Sequence, residues 1–276
     1  MMRQSKVFLS SIAAICIWAG NVHAAVLEVN EWSSRTQLGW DYSTPTVPSI
    51  DNSTNTPSGG GALKFTYFAG THALSIGGGR TEYSRLTGFE VYVGHWMKWS
   101  PGFVWNPVGT KIDYFKPDRN QQRINALGGG TLRVQPNGNG LALDISNQQD
   151  PRTHTVYNNR GVSNFQTGRW YWFEWRMKLN SNLDCPDNGC DGIAEVWVDD
   201  VLVMQYFNLK FIDTPGSVWK YLQHSPEWGG SGGLIPEDQY FWVDHTVIST
   251  TRIGRPASTP SGDTTAPRSP TLNFAN

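Results

Sequence analysis

Cysteine, charge and long apolar runs are all scarce in this chain, and each shortage removes a class of protein. Only 3 of the 276 residues are cysteine, and one of them, Cys16, falls in the leader described below. The other two, Cys185 and Cys190, have no paired His-rich segment beside them, so they do not supply the four ligands of a zinc site. No stretch beyond the leader is apolar for long enough to cross a bilayer as a helix. Long runs of helix formers are missing too, and no amphipathic helix longer than a turn or two can be traced. The triple-glycine stretches at Gly59, Gly77 and Gly128 lack the strand-to-helix context and the Lys-Ser/Thr of a phosphate loop, so they read as turns.

What is present begins with a leader. Arg3 and Lys6 precede an apolar run from Val7 to Gly20, and Val22-His23-Ala24 sets small residues at the offsets for cleavage before Ala25. Residues 1–24 are therefore expected to be a signal peptide and the mature protein to be secreted or periplasmic. A lipoprotein built on Cys16 fits less well, because Ile15 stands where a small residue is wanted. Cleavage leaves 20 Lys and Arg against 23 Asp and Glu, a net of -3. That balance is uneven along the chain: residues 80–178 carry 13 basic against 7 acidic side chains, and residues from 179 onward carry 5 against 12. Two readings stay open, a polyanion-binding face or scattered surface charge.

Gly, Trp and Tyr are plentiful, and Asn and Thr sit in the turns, which argues for many strands joined by loops. Strands are expected at 26–29, 61–68, 80–83, 89–99, 110–115, 131–134, 141–146, 170–179, 193–203 and 240–250, with a long surface loop over 43–61. From Phe89 to Trp99 the alternation is clean: Phe89, Val91, Val93, His95 and Met97 share one face, and Glu90, Tyr92, Trp96 and Lys98 the other. Spacing and turn signals suit a two-sheet all-β sandwich over residues 25–254, about the size at which one core is well buried. The Pro/Ser/Thr-rich residues 255–276 read as a tail or linker. Cys185 and Cys190 are close enough to clip one loop, and export favours an intramolecular disulfide, with a stabilisation on the order of 2 kcal/mol.

Three segments carry a resemblance: Trp170–Lys178, Asp191–Val203 with its Val-Trp-Val-Asp-Asp, and Phe241-Trp-Val-Asp-His-Thr-Val-Ile-Ser-Thr-Thr-Arg-Ile-Gly254. Over residues 60–254 the chain resembles the concanavalin A-like lectin/glucanase superfamily of jelly rolls, and within it the secreted bacterial polysaccharide-lyase-like proteins. The resemblance implies an antiparallel jelly roll whose groove takes an extracellular polysaccharide, not a nucleic acid or a membrane. Indole and phenol rings pack on sugar C–H faces, which makes Tyr92, Trp96, Trp172 and Trp197 candidate contacts, with Lys98 and Arg176 among the polar residues beside them.

Lyases of this fold cut uronate polymers by β-elimination, which needs a partner for the carboxylate, a base for the C5 proton and an acid for the leaving oxygen. Arg80-Thr81-Glu82 is similar to the Arg-Ser/Thr-Glu-Leu-Arg strand of alginate-lyase jelly rolls, which implies Arg80 in the cleft oriented by Glu82. Arg85 comes one place late for that pattern. The Gln-Ile/Val-His motif of those lyases is missing; its nearest match is Gln122-Arg-Ile-Asn125. The base is then sought among five other histidines: His154 is chosen, with Tyr157 as acid, His72 and His224 are left open as loop residues, and His95 and His245 read as satisfied buried residues within strands. A glucanase would carry Glu-x-Asp-x-x-Glu on one strand, and Glu195-Val-Trp-Val-Asp199 lacks the second glutamate. No cofactor is required by this chemistry. A structural Ca²⁺ at Asp184, Asp187, Asn188 and Asp191 is one reading of that loop, and a solvated acidic turn the other. The expected function is β-eliminative cleavage of an acidic glycan; a non-catalytic lectin-like module is the alternative.

Overall fold

The computed structural model describes residues 25–34, 40–42, 48–71, 81–106, 110–118, 128–134, 140–146, 157–163, 165–186, 189–228, 233–257 and 271–272. For 40–42, 81–82, 128–134, 140–146, 157–163 and 271–272 the backbone alone is described. The expected leader lies outside these residues.

Sixteen strands are present among them. The first six are Val26–Asn30 (β1), Trp40–Tyr42 (β2), Ser49–Asp51 (β3), Ala62–Tyr67 (β4), Thr81–Tyr83 (β5) and Glu90–Trp99 (β6). Next come Thr110–Pro117 (β7), Gly128–Val134 (β8), Gly140–Ser146 (β9), Tyr157–Ser163 (β10), Trp170–Lys178 (β11) and Gly192–Val198 (β12). Val201–Leu209 (β13), Trp219–His224 (β14), Gln239–Ser249 (β15) and Thr271–Leu272 (β16) complete the set. They form two antiparallel sheets, a jelly-roll sandwich. The first runs β13-β12-β11-β6-β15-β4-β3 with β1 beside β15, and the second runs β16-β10-β9-β8-β7-β14-β5-β2. No helix among the described residues is long and apolar enough to cross a membrane.

Strand β6 lies at the middle of the first sheet, and its two faces divide as the alternation predicts. Val91, Val93, Met97 and Trp99 enter the core between the sheets, while Trp96 joins Trp172 and Val247 in a separate small cluster. Trp99 is ringed by Trp105, Phe165, Phe173 and Phe241 at centroid distances of 4.9–6.0 Å. Side chains of this size each contribute roughly 2–3 kcal/mol on burial. Opposite them the second sheet supplies Ile112, Phe115, Trp219 and Leu222, and the indole N–H of Trp219 donates to Met177 O at 3.0 Å, tying the layers together.

The expected hairpin is present, with Lys178 opposite Ile193, and the disulfide Cys185–Cys190 closes its loop at a Cα–Cα distance of 5.2 Å. The expected single strand over 193–203 is two strands. Asp199 and Asp200 have φ of 49° and 67°, and Val198 pairs with Val201, which is a two-residue type I′ hairpin turn. Burial explains how a non-glycine holds that shape: the Asp199 carboxylate accepts from Trp172 N at 3.0 Å and from Arg169 Nη2 at 2.8 Å. Within the expected surface loop, Ser49–Asp51 is a short strand on β4. Within the expected tail, Thr271–Leu272 pairs with β10.

Candidate functional site

Most of the aromatic candidates fall on the outer face of the first sheet, and there the two largest are covered. Trp96 and Trp172 are 2% and 0% exposed, with centroids 5.5 Å apart. A strap formed by residues 252–255 crosses them. Its Ile253 and Gly254 amides donate to the buried Glu174 carboxylate at 2.6 and 3.0 Å, Ile253 packs on the cluster, and the Arg255 guanidinium lies 5.2 Å from the Trp96 ring. Neither indole offers an open face to a sugar as they stand. Trp197 is half-buried under Arg252, 4.8 Å away. Arg176 is committed to its neighbours, donating to Glu90 Oε1 at 2.6 Å and to Glu195 Oε2 at 2.8 Å. Tyr92 donates to the same Glu90 at 3.3 Å.

Lys98 belongs to a different group on that face. Its Nζ stands 5.5 Å from the Trp170 ring and 5.2 Å from the Trp242 ring, while Lys64 Nζ lies 4.0 Å from Tyr240 and 5.6 Å from Trp242. Lysines and aromatic rings alternate here as a shallow platform, a form suited to holding a glycan by stacking and charge.

The outer face of the second sheet has a denser set of reactive groups, built by a bulge. Register slips between Lys111 and Tyr114 of β7, so Ile112 and Asp113 both turn inward and Tyr114 and Lys116 turn out. Lys116 donates from Nζ to Gln223 Oε1, and Lys111 pairs with Glu227. Tyr114 donates to Glu227 Oε1 at 3.3 Å and is directly opposite Gln223 in the ladder. Gln223 in turn is opposite Glu82. Burial, and then the Glu227 carboxylate, push the Tyr114 phenol well above its ordinary pKa, so it keeps its proton. The phenol, itself only 5% exposed, thus stands beside the Lys116 ammonium and the Gln223 amide.

The inward residues of the same strands also meet. Asp113 Oδ1 lies 2.6 Å from His224 Nδ1, and Oδ2 lies 3.0 Å from His95 Nε2. His224 is thus the last residue of a strand and fully buried, not a loop residue. His245 is half-buried, with Nδ1 2.7 Å from Glu31 Oε1.

Arg80, His72 and His154 lie outside the described residues, as do the side chains of Glu82 and Tyr157; the backbones of the last two are in β5 and β10. Of the acidic loop, Asp187 and Asn188 lie outside as well, and Asp191 is occupied in accepting the Ser181 and Asn182 amides at 2.7 and 3.0 Å. Tyr114, Lys116 and Gln223 do not stand out in the sequence. The signal available for them is the polar Tyr114-x-Lys116 alternation beside apolar Ile112 and Phe115.

No family model and no curated protein matches the chain. Solved structures do. The chain is similar to an endo-β-1,4-glucuronan lyase from the fungus Trichoderma reesei at a TM-score of 0.55 and 16% identity, covering 82% of this chain and 96% of that one. It is similar to the alginate lyase Aly36B at 0.52 and 19% identity, covering 72% and 84%. A carbohydrate esterase from the Shiga toxin-encoding bacteriophage phi24B scores 0.51 at 13% identity, covering 83% and 100%. The likeness is one of fold: the chain shares the two-sheet jelly roll of these structures. The fold is shared by proteins named for different chemistry, so activity has to be argued from the side chains.

Proposed function

We propose that this protein is exported and cleaves a uronate-containing polysaccharide by β-elimination on the outer face of its second sheet. The observation that carries the reading is the row of Tyr114, Lys116 and Gln223 on adjacent strands. Lys116 and Gln223 take the uronate carboxylate and offset the charge that builds as the C5 proton leaves. Tyr114, held protonated, gives its proton to the oxygen departing from C4, and a C4–C5 double bond remains. His154 is kept as the base, Arg80 as a further carboxylate partner and Tyr157 as a second acid, on sequence grounds alone. The leader, the disulfide and fold neighbours named for alginate and glucuronan support export and an acidic glycan.

A lectin-like reading has its own support in the Lys64, Tyr240, Trp242, Lys98 and Trp170 platform. The test is incubation of the purified protein with a panel of polyuronates and neutral glycans, following ultraviolet-absorbing unsaturated ends. Their release from a polyuronate supports the lyase. Binding of a glycan without such ends anywhere in the panel supports the lectin-like module instead.

A further inference from the structure

The core of the sandwich holds a cluster that the reaction above leaves unused. His95 comes from β6 in the first sheet, and Asp113 and His224 come from β7 and β14 in the second, with side-chain exposures of 0%, 1% and 0%. One ligand-capable atom from each residue lies within 4.8 Å of the other two. The imidazole planes of His95 and His224 stand at 81° with centroids 5.0 Å apart, and each ring brings one nitrogen to the carboxylate. Trp32 closes one side, 5.9 Å from the His224 ring.

Hydrogen bonding accounts for part of this arrangement, since His224 Nδ1 and Asp113 Oδ1 are hydrogen-bonded at 2.6 Å, and leaves the rest open. Neither ring nitrogen of His95 has a directed hydrogen bond among the described residues, although Nε2 is only 3.0 Å from Asp113 Oδ2, and that oxygen also lacks one. The 3.0 Å between His95 Nε2 and Asp113 Oδ2 is also close to the spacing of co-ligands on one ion. Atoms bound about 2.0–2.2 Å from one ion lie roughly 3.3 Å apart in a tetrahedral site.

We propose that His95 Nε2, the Asp113 carboxylate and His224 Nδ1 hold a divalent transition-metal ion, zinc by the character of the donors, that bolts the two sheets together. Two imidazoles and one carboxylate suit zinc and its first-row neighbours and not calcium, which takes six or more oxygens. The cluster is sealed from solvent, so the ion has no access to a polysaccharide. Its role is structural.

The test uses untagged full-length protein, stripped with EDTA, reloaded with one equivalent of zinc and freed of excess by gel filtration. Elemental analysis is expected to find one zinc per chain, and reloading to raise Tm by roughly 5 °C or more. Cobalt in place of zinc is expected to give the intense visible bands of a tetrahedral site with nitrogen and oxygen donors. His95→Gln is expected to lose the metal and the bands, while His245→Gln, outside the cluster, keeps both. Stripped wild-type protein that takes up neither ion overturns the proposal, as does uptake that survives His95→Gln unchanged. Should His95→Gln fail to fold, the wild-type cobalt spectrum decides: six-coordinate or absent bands overturn the site.

Discussion

Gly94 lies directly beneath the indole of Trp172, so close that a Cβ on Gly94 would stand 2.2 Å from Trp172 Cζ2. The indole is fully buried and held from above by the strap, so it has no room to withdraw. Gly94→Ala is therefore expected to cost about 1–3 kcal/mol through overpacking. Denaturant unfolding measures the loss, and tryptophan emission should shift to the red as Trp96 and Trp172 gain water. An unchanged midpoint and emission would mean that the strap yields easily.

Tyr114→Phe tests the proposed acid. The ring is retained and only the phenol oxygen goes, so the fold should hold. Unsaturated product should form at least about 100-fold more slowly, with KM within a few-fold, because the proton transfer matters in the transition state alone. Lys116→Ala and Gln223→Ala should raise KM as well, since both also meet the ground-state carboxylate. Full rate in Tyr114→Phe removes it from the mechanism.

Asp244 predicts a pH dependence. Burial raises its pKa, two hydrogen bonds from Ser58 lower it, the Glu31 charge raises it and His245 lowers it, with a net value of about 6 against 3.8. The folded state thus binds this proton more tightly than the unfolded state. Its contribution is fully present below pH 3.8, falls as pH rises to about 6, and is gone above, a change of about 3 kcal/mol. Unfolding free energies measured from about pH 4 to 7 in EDTA should show this fall in the wild type beyond that of Asp244→Asn. Parallel curves would place the proton elsewhere.

Salt separates charge recognition from stacking. If Lys116 meets a polyuronate, affinity should drop between low and physiological ionic strength, because charges near the surface are screened within about 10 Å at 0.1 M. A carboxyl-reduced form of the same polymer should bind weakly and without that slope. Equal affinity for both forms would exclude carboxylate recognition.

How far the sequence is legible depends on whether the strands keep an even alternation. In β6 and β11 each residue faces the side that the two-residue period assigns, and both the fold and the aromatic face can be read from them. Bulges hide the rest. The slip between Lys111 and Tyr114 sets Asp113 on the same side as Ile112, so a core carboxylate reads as a surface one. Another slip between Trp219 and Tyr221 breaks the spacing of Trp219 and Leu222, and it conceals the strand carrying Gln223 and His224. The Trp-Val-Asp-Asp corner is legible, but Asp199–Asp200 lacks the Asn-Gly or Asp-Gly that usually marks a two-residue hairpin turn, so the run over 193–203 reads as one strand. Burial of Trp96 and Trp172 depends on a strap whose Ile253 and Gly254 are far along the chain from both indoles, a distance no local pattern spans.

The pairing of β1 with β15 has a mechanical consequence. The two strands run antiparallel, with Val26 opposite Ser249, and the last rung joins Thr250 N to Ala25 O at 3.1 Å. Tension applied to residues 25 and 250 therefore loads this ladder from one end only. Its hydrogen bonds would break in succession, as a zipper opens, and never together as in shear. Under a pull between these two points the sandwich yields at β1 first, leaving the second sheet and its reactive face intact.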